Sequence, residues 1–330
     1  MFQRPLGIYR ERDTTQHKTP PPRSLAYLRA IDCAEPHGDA VWGISWTAKD
    51  DSVISISADG TIKRWNSTSG QVMRTAPTHT LGLVSLSVAP DGRFALYNSV
   101  DGTTFLWDLE GGAIVGKHES YTRPGAEPSW SVSLNPKGRT YAATGGDFGE
   151  QRGILQSGRG KFGMRCSHSP DGSRVALSAE SGQIVIFDLA SSTLTSTYTS
   201  HAMAVRSLSW SPDSQLLLSA SEDKRLILHD VRTTSPGRPG SGAVASLTGH
   251  SSWVLSSDIS PDGRLALSGS ADKTIKVWDL TARAAVSTIA DTGEVWAVSW
   301  QPSSTAASSG AFVTGGEDGI VRWWKAAGTS

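Results

Sequence analysis

The sequence predicts an all-β protein whose repeated units form a propeller of seven four-stranded blades, and three observations support this fold class. A His precedes an Asp by 22 residues four times, at His37 and Asp59, His79 and Asp101, His201 and Asp223, and His250 and Asp272. Pro-Asp-Gly turns, as at 90–92 and 261–263, separate short alternating segments. Equivalent turns recur at steps of 34 to 49 residues, which brackets the length of one four-stranded blade.

Each repeat unit is expected to begin with an inner strand, and seven such strands can be placed in order. They begin near Trp42, Val84, Trp130, Met164, Arg206, Leu255 and Trp296. The last unit supplies only three strands, so we expect residues 25–31 to form its outer strand and to close the ring, which removes free sheet edges. Residues 25–330 are therefore predicted to form one domain.

Three stretches depart from the regular repeat. Residues 1–24 are polar and Pro-rich, which predicts a disordered tail, and residues 233–242 predict an enlarged loop in the fifth unit. In the third unit the step is only 34 residues, and the chain runs directly into 147–158 without room for a normal third strand. Either this blade is defective or a loop substitutes, so we expect an irregular third blade.

The composition excludes several classes of protein. Lys and Arg together number 31, as do Asp and Glu, and the resulting zero net charge disfavours a bulk electrostatic grip on nucleic acid or on an anionic membrane. No run of 18 apolar residues predicts a membrane span. Cys33 and Cys166 are too few for a disulfide scaffold, and the first residues lack the apolar core of a secretory signal, so an intracellular protein is predicted.

Apparent catalytic motifs are better explained by structure. Residues 158–163 match the spacing Gly-x-Gly-x-x-Gly, but dinucleotide binding requires a following helix and a propeller strand is expected there instead. Cys166 lies on a predicted inner strand, where a small buried hydrophobe is the simpler reading. No nucleophile elbow, phosphate loop or metal-ligand cluster is found in the sequence. We therefore expect no catalytic residues, no metal and no cofactor, and not an enzyme.

The Trp-Asp dipeptides at 107–108 and 278–279, with the constant His-to-Asp spacing, resemble the WD40 repeat family over residues from about 25 to 326. The resemblance implies that a His, an Asp and a Trp of one blade join a buried hydrogen-bonded group that holds its strands. Complete sets are His37/Asp59/Trp65, His79/Asp101/Trp107 and His250/Asp272/Trp278. Incomplete sets are His201 and Asp223 with His229 in place of Trp, and Asp318 and Trp324 without a His.

In such a propeller, residues at the start of each inner strand, or two positions before it, point to the upper end of the central channel. The apolar and basic residues that fall in those positions are Trp42, Val84, Trp130, Phe162, Met164, Arg206, Trp253, Leu255 and Trp296, and the acidic ones at the same face are Glu222, Glu294 and Glu317. Contiguous exposed apolar patches usually mark binding sites. We therefore expect this upper face to bind a protein segment that carries apolar anchors and a basic residue.

Four segments resemble the WD-repeat subunits of fungal superkiller (Ski) complexes: 37–46, 159–177, 201–223 and 250–279. Arg-Gly-Lys-Phe at 159–162 and the phrase at 201–215 are not shared by WD repeats in general. The resemblance implies a non-catalytic adaptor that binds a tetratricopeptide scaffold subunit beside a DExH RNA helicase. It also implies a cytoplasmic role in 3′ to 5′ mRNA decay by the exosome, without direct contact with nucleic acid or membrane.

Alternative functions remain open at this point. Relatives of that subunit act in the nucleus, in meiotic recombination in some fungi and in the Paf complex in animals. A ubiquitin-ligase substrate receptor or a histone-peptide reader is a different kind of adaptor. Direct RNA binding would need a basic track with interleaved aromatic residues.

Overall fold

The structure is a computed structural model that describes residues 24–119, 129–138, 140–145, 155, 162–232, 242–302 and 310–327. The described part of the chain contains 26 strands in seven sheets and no helix. The all-β propeller is thus confirmed. Six sheets have four strands and one has two, so the described residues show six complete blades and not the predicted seven.

We number the repeat units 1 to 7 in chain order, and every unit begins at the channel with its inner strand. Unit 1 contains β2 (Val41–Trp46), β3 (Ser52–Ser57), β4 (Ile62–Asn66) and β5 (Val72–Thr75). Unit 2 contains β6 (Leu83–Val88), β7 (Phe94–Ser99), β8 (Thr103–Asp108) and β9 (Ile114–Glu119). Unit 3 contains β10 (Val132–Leu134) and β11 (Tyr141–Ala143). Unit 4 contains β12 (Gly163–His168), β13 (Arg174–Ala179), β14 (Ile184–Asp188) and β15 (Thr193–Tyr198).

The remaining units follow the same antiparallel order. Unit 5 contains β16 (Val205–Trp210), β17 (Leu216–Ser221), β18 (Arg225–Asp230) and β19 (Ala243–Thr248). Unit 6 contains β20 (Val254–Ile259), β21 (Leu265–Ser270), β22 (Thr274–Asp279) and β23 (Ala284–Ala290). Unit 7 contains β24 (Val295–Trp300), β25 (Ala311–Gly316) and β26 (Arg322–Ala326), and its fourth strand is β1 (Tyr27–Asp32). In the six complete units, the inner strand begins one residue before the predicted start.

Unit 7 closes the ring, as the sequence predicted, because β1 pairs antiparallel with β26. Tyr27 of this strand is buried and packs against Trp300 and Phe312, with ring centroids 6.3 and 5.1 Å away. Leu28, the next residue, points away from the core and is 63% exposed. The first and last parts of the chain therefore share one hydrophobic core.

Unit 3 is irregular in its described part. Only β10 and β11 pair there, and each has three residues. The stretch 147–158, in which the sequence left no room for a normal third strand, lies outside the described residues except for Leu155. The same holds for residues 1–23 of the predicted tail, 233–241 of the predicted loop and 158–161 of the Gly-rich segment.

Units 1 and 6 contain unbroken polar relays of the kind that the resemblance implied. In unit 6, His250 Nδ1 is 2.8 Å from Asp272 Oδ2, its Nε2 is 2.8 Å from Ser268 Oγ, and Trp278 Nε1 donates to the same Oγ at 2.8 Å. In unit 1, Ser55 Oγ likewise joins His37 Nε2 at 2.7 Å to Trp65 Nε1 at 2.7 Å. Because every polar atom of such a buried relay has a partner, the relay fixes three strands without an unsatisfied group.

In unit 1 the connection from His37 to Asp59 is indirect. Thr61 Oγ1 lies 2.8 Å from His37 Nδ1 and donates to Asp59 Oδ1 at 2.6 Å. Burial lowers the pKa of His37 to about 4, so its imidazole is neutral at pH 7. A neutral ring can donate from one nitrogen and accept at the other, as a relay requires.

The predicted set of unit 2 is not assembled in this way. Tyr97 occupies the place of the central Ser, and its hydroxyl lies 2.9 Å from His79 Nε2. Asp101 instead accepts hydrogen bonds from Ser99 and from the N–H of Thr103. The buried indole N–H of Trp107 has no hydrogen-bond partner among the described residues. The large Tyr side chain displaces the small hydroxyl that would have joined His to Trp, so the expectation of a complete relay was wrong here.

Unit 5, which lacks the Trp, does contain a full relay. His229 Nε2 lies 3.0 Å from Ser219 Oγ, which is 2.8 Å from His201 Nε2, and His201 Nδ1 is 2.9 Å from Asp223 Oδ2. Burial lowers the pKa of His229 to about 3, which keeps this second imidazole uncharged. His229 thus replaces the indole as a hydrogen-bonding ring, a substitution that the Trp-based pattern missed.

Unit 7 replaces the missing His by an ion pair. The buried Arg322 guanidinium is 3.2 Å from Asp291 Oδ1 and also donates to Asp318. Trp324 Nε1 donates to Thr314 Oγ1 at 3.0 Å. In unit 7, the ion pair of Arg322 with its Asp partners therefore links the strands that His and Ser link in units 1 and 6.

The contribution of the closing strand can be measured with two neighbouring residues. Tyr27→Ala removes a buried ring from the shared core and should lower the free energy of unfolding by about 3 kcal/mol. Leu28→Ala, the matched control, should change it by less than about 0.5 kcal/mol because Leu28 is exposed. Urea denaturation of both variants tests this, and equal effects would show that β1 does not depend on its inward face.

Candidate functional site

Each complete unit carries a β-bulge at the second residue of its inner strand. The pairing register shifts there in β2, β6, β12, β16, β20 and β24. The six residues that lack a paired partner are Trp42, Val84, Met164, Arg206, Leu255 and Trp296. Because a bulge redirects a side chain out of the regular pleat, it places these six at the mouth of the channel.

Four aromatic side chains meet at this mouth in a continuous row, which we name the aromatic cluster: Phe162, Trp130, Trp42 and Trp296. Successive ring centroids are 6.0, 6.0 and 5.3 Å apart, and all three contacts are edge-to-face. That geometry is favoured between aromatic rings. The cluster connects units 4, 3, 1 and 7 and gives the mouth a rigid apolar wall.

Trp130 lies in the cluster although unit 3 is short. Its backbone N–H and that of Ser131 both donate to Thr144 Oγ1, at 3.2 and 2.9 Å. The described strand β10 begins only at Val132, two residues after the predicted start. The Thr144 hydroxyl thus holds the backbone of Trp130, a role that backbone hydrogen bonds of a longer inner strand have in the other units.

The other apolar residues predicted for the upper face differ in exposure. Val84 and Met164 are buried and support their neighbours from below. Leu255 is half-buried, whereas Trp253 is 44% exposed. Only part of the predicted set therefore presents surface to a partner.

Three exposed apolar residues near the same face were missed in the sequence. Leu81 and Met203 both lie two residues after the His of their unit, and Val100 directly precedes Asp101, the position that Glu222 and Glu317 occupy in units 5 and 7. Val100 fits the position before the Asp that the sequence argument used, whereas Leu81 and Met203 lie three residues before the predicted strand starts, one position outside that rule.

The three predicted acidic residues have different surroundings. Glu222 forms an ion pair with Arg206, whose Nε donates at 2.7 Å, so these two charges neutralise each other. Glu294 accepts from Trp296 Nε1 at 3.0 Å, and Glu317 accepts from the backbone N–H of Glu294 at 3.2 Å. In the described part of the chain, no cationic nitrogen lies within 4.0 Å of Glu294 or Glu317. Negative charge thus remains at the unit 7 side of the mouth.

The channel with its mouth has a volume of about 600 Å³, and serines are the most frequent residues of its wall. Serines on one inner strand accept hydrogen bonds from backbone N–H groups of the next inner strand. Such bonds join Ser85 to Val132, Ser87 to Leu134, Ser131 to Cys166, Ser133 to His168, Ser207 to Ser257, Ser256 to Val298 and Ser299 to Trp46, at 2.9 to 3.2 Å. We call this set the serine belt.

Asp258 occupies a serine position of the belt in unit 6. Its Oδ2 accepts the backbone N–H of Trp300 at 2.8 Å, and its Oδ1 accepts that of Ile259 at 2.9 Å. Desolvation by the surrounding wall raises the pKa of Asp258 to about 7, although the two hydrogen bonds act in the opposite direction. The channel therefore contains a carboxyl group that titrates near neutral pH.

Known proteins resemble the chain through its repeats. The family model for the WD domain, G-beta repeat, matches residues 31–66, 70–108, 192–230, 242–279 and 285–325, more than half of the chain. This protein belongs to the WD40 repeat family. The matches leave out residues 109–191, which contain the irregular unit 3 of this WD40 propeller.

This chain aligns with two thirds or more of the length of three relatives. The meiotic recombination protein rec14 of Schizosaccharomyces pombe is 31% identical over 287 residues, 83% of this chain and 90% of its own. The WD repeat-containing protein VIP3 of Arabidopsis thaliana is 32% identical over 59% of this chain and 67% of its own. The WD repeat-containing protein SL1-17 of Schistosoma mansoni is 30% identical over 60% and 69%. None of these three names refers to a Ski complex.

Propellers of the WD40 family typically bind protein partners and act as non-catalytic scaffolds. In the residues that the structure describes, no group of three or more His, Cys, Asp or Glu side chains could hold a metal ion. Cys166 is buried, and burial raises the pKa of its thiol to about 11, which disfavours the reactive thiolate. Within the described ranges, no helix is long and apolar enough to cross a membrane.

The carboxyl group of Asp258 should make stability depend on pH in a defined direction. Because its folded-state pKa lies above the ordinary value of 3.8, its contribution to stability is full below pH 3.8 and is lost as pH rises through 7. Asp258→Ser keeps an acceptor for the Trp300 N–H and removes the charge. The difference in unfolding free energy between variant and wild type should therefore grow in favour of the variant by about 3 kcal/mol from pH 5 to pH 8. A difference that stays constant across this range, measured by urea denaturation, would contradict the assigned environment.

Proposed function

We propose that this protein is a non-catalytic adaptor that holds a short segment of a protein partner on the upper face of its propeller. The observation that carries the proposal is the aromatic cluster of Phe162, Trp130, Trp42 and Trp296 at the channel mouth. Trp is a favoured anchor in protein interfaces, and rigid aromatic walls bind apolar side chains at a low entropic cost.

Exposed apolar residues extend the cluster into a larger surface. Trp253, Met203 and Leu81 lie in the loops that precede inner strands of units 6, 5 and 2, on the same side of the ring. Contiguous apolar surface of this kind usually marks a site for another protein. The surface supports a partner segment with several apolar anchors.

Charge at the mouth favours a segment that also carries a basic residue. Glu294 and Glu317 lie next to each other beside Trp296. A Lys or Arg of the segment could form a charge-assisted hydrogen bond there. Arg206 is already paired with Glu222, so the described residues of the mouth offer no basic track for RNA, and this supports a protein partner over nucleic acid.

The partner that we propose is the tetratricopeptide scaffold subunit of the Ski complex, through which this chain would support exosome-dependent mRNA decay in the cytoplasm. The support is the resemblance of residues 159–162 and 201–210 to fungal WD-repeat subunits of that complex. A second candidate is a nuclear adaptor in meiotic recombination, which the similarity to rec14 over 83% of this chain favours. A Paf-complex subunit and a ubiquitin-ligase substrate receptor are further alternatives.

Affinity purification of the full chain from its source organism, followed by mass spectrometry, separates these candidates. We expect the tetratricopeptide subunit, the DExH helicase and exosome subunits to co-purify from vegetative cells. Recovery of recombination proteins from meiotic cells, or of Paf-complex subunits, without the Ski subunits would replace the Ski proposal by the corresponding nuclear one.

The role of the upper face is tested with a double variant. Trp42→Ala with Trp296→Ala removes the centre of the aromatic cluster and should weaken capture of the purified tetratricopeptide subunit at least tenfold, as expected when two interface anchors are lost. Val115→Ala with Leu194→Ala changes two exposed apolar residues on outer strands and serves as the matched control. Circular dichroism establishes that both variants are folded. Equal capture by both double variants would exclude the upper face as the binding surface.

A further inference from the structure

One position of the channel wall breaks the rule that the others follow. The third position of each inner segment is small in six of the seven units, and five of these six residues line the channel beneath the mouth: Gly43, Ser131, Ser207, Ser256 and Ala297, with Ser85 as the sixth. The seventh is Arg165 of unit 4. As Arg165 has no acceptor atom, it cannot give the serine belt the bond that Ser131 or Ser207 gives at the same position.

Arg165 has almost no hydrogen-bonding partner. Its Nη1 donates to Ser85 Oγ of unit 2 at 3.3 Å, a long bond that reaches past unit 3. Its Nε is buried and has no hydrogen-bond partner among the described residues. Burial lowers the pKa of the guanidinium, yet an Arg side chain stays protonated in proteins.

Among the described residues, no neighbouring group neutralises this charge. Across the described ranges, no carboxylate oxygen lies within 4.0 Å of the Arg165 guanidinium. The adjacent Cys166 is a neutral thiol, because burial raises its pKa to about 11. Burial likewise lowers the pKa of His168 to about 4, so this imidazole on the channel wall is uncharged at pH 7. Arg165 is half-buried and only its Nε is fully buried, so its guanidinium faces the channel without a counter-ion among the described residues.

We propose that Arg165 is an anion site inside the channel and that it binds the carboxylate of an acidic side chain in the segment held by the aromatic cluster. This inference rests on the proposed binding of a segment at the upper face and adds a second charged contact to it. The channel is continuous from Trp42 and Trp130 at the mouth to Arg165, so a side chain between two apolar anchors can enter it.

The surrounding charges favour a carboxylate over a phosphate group. Arg165 offers one unpaired positive charge, and its planar fork matches the two oxygens of a carboxylate. The other unpaired ionisable groups of the wall, Asp258 and Glu294, are acidic and would repel a dianion. Asp258 has no cation within 4.0 Å in the described part of the chain, so it does not compensate Arg165.

The site can be tested on the full chain without any partner, with acetate as the probe. Thermal unfolding is compared in sodium acetate, sodium phosphate and sodium chloride at equal ionic strength. A ligand that binds only the folded state raises the midpoint, and acetate at ten times its dissociation constant should raise it by about 2 °C over chloride. Phosphate should give a smaller increase of the midpoint.

A second measurement follows the Nε–H resonance of Arg165 in nitrogen-15 spectra, where it is assigned by its loss in the Arg165→Met variant. This resonance should shift as acetate is added, and the shift should saturate.

Arg165→Met should remove the acetate-dependent increase, and in chloride it should not lower the midpoint, because the half-buried guanidinium has no counter-ion among the described residues and makes only one long hydrogen bond. Arg264→Met, in an exposed turn of unit 6, is the matched control and should keep the increase. If Arg165→Met fails to fold, Arg165→Lys replaces it, because Lys keeps the positive charge without the planar guanidinium. This variant should show a smaller acetate-dependent increase of the midpoint, and the increase should saturate at a higher acetate concentration.

The results separate this inference from the proposed function. An acetate effect that is absent in the wild type, or equal in wild type and Arg165→Met, would overturn the anion site whatever the outcome of partner capture. A larger, Arg165-dependent effect of phosphate would overturn the assignment to a carboxylate. If the acetate effect holds but Trp42→Ala with Trp296→Ala leaves partner capture unchanged, the upper-face proposal fails while Arg165 remains an anion site.

Discussion

The inner strands of this propeller are joined by hydrogen bonds from the backbone of one strand to small polar side chains of the preceding one. Strands that converge on a common axis leave little room, so Ser, Gly and Ala are suited to the wall, and a Ser hydroxyl can also accept the N–H of its neighbour. The same strands carry the bulges that place Trp42 and Trp296 at the mouth. The contacts between neighbouring units and the candidate site therefore depend on the same inner strands.

The spacing of the repeats predicted much of the fold because the polar relays require it. A His and an Asp 22 residues apart can meet only if the strands between them have fixed lengths, and the inner strands of the complete units were located to within one residue. Spacing does not report what a side chain touches. Tyr97 interrupts a relay whose His, Asp and Trp are all present, and His229 completes one that lacks its Trp.

The candidate site was predictable in position but not in exposure or charge balance. The mouth residues follow from strand starts, yet Val84 and Met164 are covered by their neighbours, and the charge of Glu222 is neutralised by Arg206. The ion pair lies within unit 5, and the burial of Val84 and Met164 depends on how side chains pack, so neither outcome follows from the spacing of a repeat. Unit 3 was recognised as irregular from its short step, but only the contact of Thr144 with the backbone of Trp130 explains why that Trp still joins the aromatic cluster.

Opposite charges on two sides of the channel have a consequence for how a segment would bind. Glu294 lies at the unit 7 side of the mouth, and Arg165 lies on the wall of unit 4. A segment with a basic and an acidic residue flanking an apolar anchor can satisfy both only in one direction, since the reversed segment would place like charges together. Like-charge contacts cost free energy and so give specificity. Because Arg165 replaces a small residue, the serine belt lacks one hydrogen bond at this position. The same Arg would let the channel distinguish the two orientations of a bound segment.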